Sequence, residues 1–520
     1  MKRTILPFII VFFSSCLSGH FLFKDSFPWG DSMNMFSPTP SLNAYSSEID
    51  ISKDPIQFIQ SWYKTQNGRV SQALLGTLIY IYSNNFVPDP LNFPSWFVRS
   101  LSLFFNISVL ILVYTIFGKL KITSSIKKGF ILIFGASWLI NPTFLYVNNI
   151  FDVTLIGYSI PNFVAIGLFV YSFYLGSKNL ISVKDIITFA CLYLFFSNLS
   201  EHNLISAPFL ASAGFLAGYM PKKILSFKTL LYLVQCSLLS ILSLLIFYFS
   251  PAQQKRAAIV MNKSVDLSFK KVAYWLQESS NSGLSLLAQL DMSRLGNYYI
   301  FHLLIILSSI GILGCNLYNI RFRSNQVLED SEILISKLSI LGLFFHASFF
   351  ACMATSLLSN YLPFYSMQFP CLLLALGLIF SLIAVIEQAR FSIANSKLPY
   401  NYRPLYILCT TFATLLFLHR FDAITTGFQE IREHSTSRRL MYTEIESIQK
   451  QGIQNIALVG FPRNRYTWTI EPQWGLDAYL RWKNIHNLTV IESNDAIIRK
   501  VNIQSYYHIS PDTPFKLSLI

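Results

Sequence analysis

The chain has 520 residues, of which 53% are hydrophobic and 13% charged, with a net charge of +14 and a mean hydropathy of +0.45. Soluble domains carry roughly 25% charged residues, so this composition excludes an ordinary water-soluble protein and makes lipid the expected solvent. The positive charge does not point to nucleic acid, because many of the Lys and Arg residues sit in short loops between apolar runs, the pattern of charge that sets membrane topology.

Met1-Lys2-Arg3 followed by an apolar stretch to about Phe23 has the outline of a signal peptide, and Phe13-Ser14-Ser15-Cys16 resembles a lipoprotein cleavage box. An uncleaved first helix fits the remainder of the chain better. A helix crossing a bilayer needs roughly 20 mostly apolar residues. The runs that qualify are 5–23, 97–117, 129–148, 157–176, 185–200, 204–220, 228–250, 298–319, 335–357, 366–388 and 403–420. The expectation is an all-α polytopic membrane protein of about eleven transmembrane helices over 1–420, followed by a small α/β domain over 421–520.

The loops between these runs alternate. One class is basic (Lys119 to Lys128, Lys178 and Lys184, Lys222 to Lys228, Arg321 to Lys337, Arg390 to Arg403), and the other is poor in cations (148–155, 200–203, 358–366). Basic loops face the cytoplasm, so the N-terminus is expected there and the long segments 24–96, 251–297 and 421–520 outside. Ala73 to Tyr82 is too short to span and would invert the alternation if it did. It is read as part of a helix over 70–86 lying on or dipping into the outer leaflet. Asp54-Pro55 is a helix start, an acceptor followed by proline in the first turn, with Ile56, Ile59 and Tyr63 forming one stripe. A second amphipathic helix is expected over 264–278, with Val265, Phe269, Val272 and Leu276 at helical spacing and Lys270 and Lys271 beside them. In the last hundred residues, helices are expected over 427–450 and around 476–482, and strands over Ile453 to Val459 and Leu488 to Glu492.

Few residues could carry chemistry. Asp31, in Pro28-Trp29-Gly30-Asp31, follows the first run by about eight residues and stays close to the membrane surface, where a carboxylate can act as a base toward a hydroxyl. A solvated loop aspartate is the plainer reading. Arg69, in Asn67-Gly68-Arg69, starts the interfacial helix, where a guanidinium can clamp a phosphate or anchor to headgroups. Glu201 and His202 occupy a tight outer turn, and ionisable groups so placed tend to face a cavity or a partner. Asp152 is a weaker acid in the preceding outer loop. Lys255, Arg256, Arg463 and Arg465 are outer cations suited to a lipid phosphate, while His302 and His346 read as buried, satisfied histidines. The seven cysteines all lie in apolar runs, with no disulfide framework and no metal-ligand spacing. No nucleotide-binding or hydrolase motif stands in a sensible context.

The order of parts resembles the GT-C superfamily of membrane glycosyltransferases that use polyprenyl-phosphate sugars, closest in flavour to bacterial O-antigen-modifying glucosyltransferases. The features that match are the acid after the first span (Pro28-Trp29-Gly30-Asp31), a large first outer loop in which Trp62-Tyr63 leads to Asn67-Gly68-Arg69, the outer turn Ser200-Glu201-His202-Asn203, and a soluble domain after the spans. Many relatives carry two adjacent acids after the first span, whereas here Gly30 precedes the single Asp31.

The resemblance implies an inverting transfer of a sugar from a polyprenyl-phosphate donor to an envelope glycan or lipid acceptor, in a bacterial inner membrane and among membrane lipids, with no nucleic acid. Asp31 and Glu201 would be its catalytic acids. Arg69, His202, Lys255, Arg256, Arg463 and Arg465 would be its phosphate-binding groups. No cofactor is named and a divalent metal is left open. The competing readings are a transporter or flippase, an O-antigen polymerase or ligase, and a non-catalytic scaffold.

Overall fold

The computed structural model describes residues 54–65, 69–75, 77–78, 160–178, 180–219, 227–255, 268–288, 298–322, 330–359 and 367–395, a few helical positions between 425 and 450, and four short strands after 454. The expected spans 5–23, 97–117, 129–148 and 403–420 lie outside the described residues, as do Asp31, Asp152, Arg256, Arg463 and Arg465.

The described helices are α1 (Pro55–Thr65), α2 (Ile160–Ser177), α3 (Val183–Ser197), α4 (Glu201–Gly218), α5 (Phe227–Tyr248), α6 (Phe269–Ala288), α7 (Tyr298–Phe322), α8 (Asp330–Ser359) and α9 (Gln368–Asn395). Seven of the expected spans therefore form helices. Among the described residues, three stretches are long and apolar enough to cross a membrane: Thr229–Tyr248 in α5, Glu332–Ala354 in α8 and Phe369–Ser392 in α9. Their surroundings differ. In α9, 78% of the apolar window is buried against protein, whereas in α5 the figure is 28%. Leu230, Leu231, Leu238, Ile241 and Leu244 of α5 are all exposed. A helix whose open face is leucine is solvated by lipid, and the molecule is accordingly membrane-associated.

Local chemistry sets the helix ends. The Asp54 carboxylate accepts from the Gln57 backbone N–H at 2.8 Å, the expected cap of α1. At α3, Ser182 and Asp185 form a reciprocal capping box, and the Lys178 ammonium reaches Asp185 at 2.7 Å. Ser200 caps α4 by accepting from the Asn203 N–H at 3.3 Å, so α4 begins at Glu201, three residues before the apolar run at 204.

Apolar burial does not drive helices together in lipid, because the tails are as apolar as leucine; close packing does. Glycines permit it here at two crossings. A β-carbon on Gly214 or Gly218 of α4 would collide with the carbonyl oxygens of Phe169 or Phe173 on α2, and one on Gly176 of α2 with the carbonyl of Phe215. Gly342 of α8 faces Ser381 of α9 in the same way. Aromatic rings fill what remains: Phe169, Phe345 and Phe380 stack in series from α2 through α8 to α9, and Phe215 lies on Tyr232 with ring centroids 4.0 Å apart.

The amphipathic helix expected over 264–278 is α6, which starts later, at Phe269, and runs further, to Ala288. Its start is where the Ser268 hydroxyl accepts from the Lys271 N–H at 3.4 Å. Its apolar stripe is open, with Phe269 88% exposed and Leu276 also open, while Ser279, Ser280, Ser282 and Gly283 are buried.

After residue 454 the chain forms β1 (Asn455–Val459), β2 (Thr489–Glu492), β3 (Ser505–Ile509) and β4 (Leu517–Leu519), in sheet order β2-β1-β3-β4. β1 runs parallel to both β2 and β3, and β4 is antiparallel to β3. The two expected strands are β1 and β2, shorter by one or two residues at their starts. The helices expected between and before them lie largely outside the described residues.

The glycine crossings give the first prediction. Gly218→Val forces α2 and α4 apart and is expected to cost about 1–3 kcal/mol by overpacking. The measurement is the thermal unfolding midpoint of the full chain in detergent. Gly314→Ala serves as control and should leave the midpoint unchanged, since a β-carbon there meets nothing within 4 Å.

Candidate functional site

Three segments distant in sequence meet at one ion pair. Arg69 opens a helical stretch over 70–75, its carbonyl accepting from the Ala73 N–H at 3.1 Å. Its guanidinium donates to Glu201 Oε2 from Nε at 2.9 Å and also from Nη2, while Nη1 donates to the Gln72 amide oxygen at 3.2 Å. The other oxygen of Glu201 accepts from the Gln253 amide at 3.1 Å. Glu201 belongs to the turn between α3 and α4, and Gln253 to a short helical turn following α5. The two charged side chains are 132 residues apart in sequence, and only 14% and 27% of their surfaces remain exposed.

A second set of bonds fixes the approach of Arg69. The Tyr63 hydroxyl of α1 donates to the carbonyl of Ile246 at 2.7 Å, in the last turn of α5, where helix carbonyls lack an internal partner. The Ser250 hydroxyl in turn donates to the Tyr63 carbonyl at 2.8 Å. Helix α1 is thus bolted to the end of α5, four residues of chain before Arg69's own helix.

The electrostatics decide which roles these groups can take. Burial pushes the Glu201 carboxyl up, but the adjacent Arg69 charge and its hydrogen bonds outweigh that and hold it down at about 2. A carboxylate so strongly acidic is a poor proton acceptor near neutral pH, and Glu201 holds the Arg69 guanidinium in place. His202 points the other way. Burial lowers its imidazole to about 4, with Glu201 opposing and Arg69 adding to the shift. That shift favours the neutral imidazole. The His202 backbone carbonyl accepts from the Cys352 thiol of α8 at 3.4 Å, which ties the turn to the central bundle. Lys255, in the same short turn as Gln253, is exposed.

The structure therefore brings Arg69, Glu201 and His202 together. Gln72, Gln253 and the Tyr63–Ser250 contact were not singled out for the site by sequence reasoning: neutral amides and a backbone-directed hydroxyl carry no signal of their own. Among the described residues, no three His, Cys, Asp or Glu side chains converge so as to hold a metal ion.

Because the Glu201 carboxyl is depressed, the folded chain binds its proton less readily than the unfolded chain. The pair's contribution is full above the ordinary carboxylate range and is lost as pH falls toward about 2. Glu201→Gln leaves a partly buried guanidinium without its counter-ion and is expected to cost about 2–3 kcal/mol at pH 7, below the range for fully buried pairs because both groups keep some exposure. Unfolding midpoints of parent and variant should converge between pH 5 and pH 2. A gap that stays constant over that range would show that the pair is not what the substitution removes.

No family model, no curated protein and no solved structure matches this chain, so what the site does is argued from its own residues.

Proposed function

We propose that the chain is a membrane glycosyltransferase that moves a sugar from a polyprenyl-phosphate donor to an envelope glycan or lipid acceptor. In this reading it is a GT-C-like protein of about eleven spans in a bacterial inner membrane. Its N-terminus is cytoplasmic, and 24–96, 251–297 and a C-terminal α/β domain lie outside. The observation that carries the reading is the Arg69–Glu201 pair, in which two of the residues named for this chemistry meet across the first outer loop and a later outer turn.

The proposed reaction follows from the groups available. Asp31 takes the proton of an acceptor hydroxyl, and the oxygen attacks the anomeric carbon from the side opposite the phosphate. The C–O bond to phosphate breaks with inversion, and the phosphate leaves with the bonding pair. Arg69 meets the developing charge. Its Nη1 donates to the neutral amide oxygen of Gln72, and an anion is the stronger acceptor for a guanidinium because charge-assisted hydrogen bonds are about twice as strong. Glu201 keeps the guanidinium plane fixed while this happens. Lys255, Arg256, Arg463 and Arg465 supply further positive charge for the pyrophosphate or phosphate headgroup.

Asp31→Asn is expected to abolish transfer of radiolabelled sugar from polyprenyl phosphate by purified protein in detergent, with expression and membrane insertion unchanged. Arg69→Lys keeps the charge but loses the planar fork, and should lower the rate by about tenfold. A carrier would score nothing in this assay, and an Asp31→Asn protein that transfers at the parent rate would sink the assignment of the base. Topology has a separate check. Cysteines introduced at positions 40, 270 and 480 should react with an impermeant reagent added outside intact cells, and one at position 124 should not.

A further inference from the structure

Away from the outer site, four helices are joined through their interior by an unbroken chain of hydrogen bonds. The Ser280 hydroxyl of α6 pairs with His302 Nδ1 of α7 at 2.9 Å, and His302 Nε2 pairs with His346 Nδ1 of α8 at 2.9 Å. His346 Nε2 pairs with the Ser381 hydroxyl of α9 at 3.3 Å. All four side chains are at most 3% exposed. The walls of this chain are apolar or small: His302 lies on the Phe350 ring, Phe349 is its other neighbour, and Gly377 leaves room for His346. Among the described residues no carboxylate or cation is hydrogen-bonded or ion-paired to either ring.

We propose that α6–α9 form a proton path, with the histidine pair passing one proton at a time between Ser280 and Ser381. Two neutral imidazoles joined nitrogen to nitrogen share one proton, which leaves two arrangements of the whole chain. In one, Ser280 donates to His302, His302 Nε2–H to His346 and His346 Nε2–H to Ser381. In the other, every donor is reversed. A proton entering at the Ser280 oxygen and another leaving from the Ser381 oxygen convert the first into the second, each shared proton crossing its own hydrogen bond. Only N–H and O–H bonds change, and rotation of the hydroxyls and rings restores the starting arrangement.

The second observation is what lies beyond Ser381. Ser339 Oγ, Lys337 Nζ and Glu387 Oε1 are buried polar atoms with no hydrogen-bond partner, on residues at most 8% exposed. Ser339 stands one turn from Gly342, the residue that faces Ser381. Gln388, whose Oε1 is likewise unpartnered, is two turns along α9 from Ser381 and lines an open groove with Ser308, Gly311 and Cys315 of α7. Lys337 and Glu387 lie near the ends of the two apolar stretches, where Glu387 Oε2 also pairs with Arg390 at 3.5 Å. Buried polar atoms that protein leaves unpartnered are where water bridges a proton route. The histidines thus span the part of the bundle nearest α6, and the Ser339–Lys337–Glu387–Gln388 set continues from it toward the opposite ends of α8 and α9.

The test uses the full chain in liposomes loaded with a pH-sensitive dye, with a potassium gradient and valinomycin supplying the driving potential. Proton entry should exceed that of protein-free vesicles. In His346→Gln the protein-dependent part should be lost, while the unfolding midpoint stays within a few degrees. Ser381→Ala, a smaller change, should give the same loss and decides the matter if the glutamine variant fails to fold. Parent protein that passes no more protons than protein-free vesicles overturns the proposal, as does a folded variant that conducts like the parent. Sugar transfer is read in detergent, so neither outcome here bears on that assignment.

Discussion

A polar group kept inside an apolar bundle has to find its partner within the bundle, because lipid offers none. That constraint organises the molecule at every scale. It puts a capping serine in front of α3 and α4, and places the Tyr63 hydroxyl over an orphan carbonyl at the end of α5. It sets Arg69 against Glu201 across 132 residues of sequence, and it strings two serines and two histidines into one chain through four helices. Among the described residues, Lys337 Nζ, Ser339 Oγ and Glu387 Oε1 are some of the buried polar atoms that protein leaves without a hydrogen bond, and they lie on the two helices that end the histidine chain.

The same constraint separates the two regions that carry chemistry. The ion pair lies at helix ends, where backbone N–H groups and neighbouring loops supply donors. The histidine chain lies deep, with aromatic walls. The two regions are joined by the contact of the Cys352 thiol of α8 with the His202 carbonyl of α4. The ion pair and the histidine chain can otherwise be altered independently.

Much of the organisation was legible in the sequence. Long apolar runs located the helices α2 to α5 and α7 to α9, and the proline after Asp54 located the start of α1. The turn at Glu201 was identified because an acid between two closely spaced runs must stay near membrane depth, and Arg69 because it follows Asn67-Gly68 at a helix start. Their pairing with each other was not legible, since no periodicity links positions so far apart. Helix α6 shows what spacing leaves out. Apolar spacing marks the open stripe of Phe269, Val272 and Leu276, but carries no signal for the serines and glycine that pack. In water an apolar stripe marks the inside; against lipid it marks the outside, and small residues mark the contact between helices. His302 and His346 were read as satisfied and buried, but the sequence gives no hint that each satisfies the other.

The bolt between α1 and α5 has a mechanical consequence. Among the three candidate spans of the described residues, α5 is the least buried against protein, and its C-terminal end carries Tyr63 on one side and leads directly to Gln253 on the other. Arg69 and Glu201 are each reached through one of these attachments. A tilt of α5 would move both attachments together, which ties the aim of the guanidinium to the orientation of that one helix.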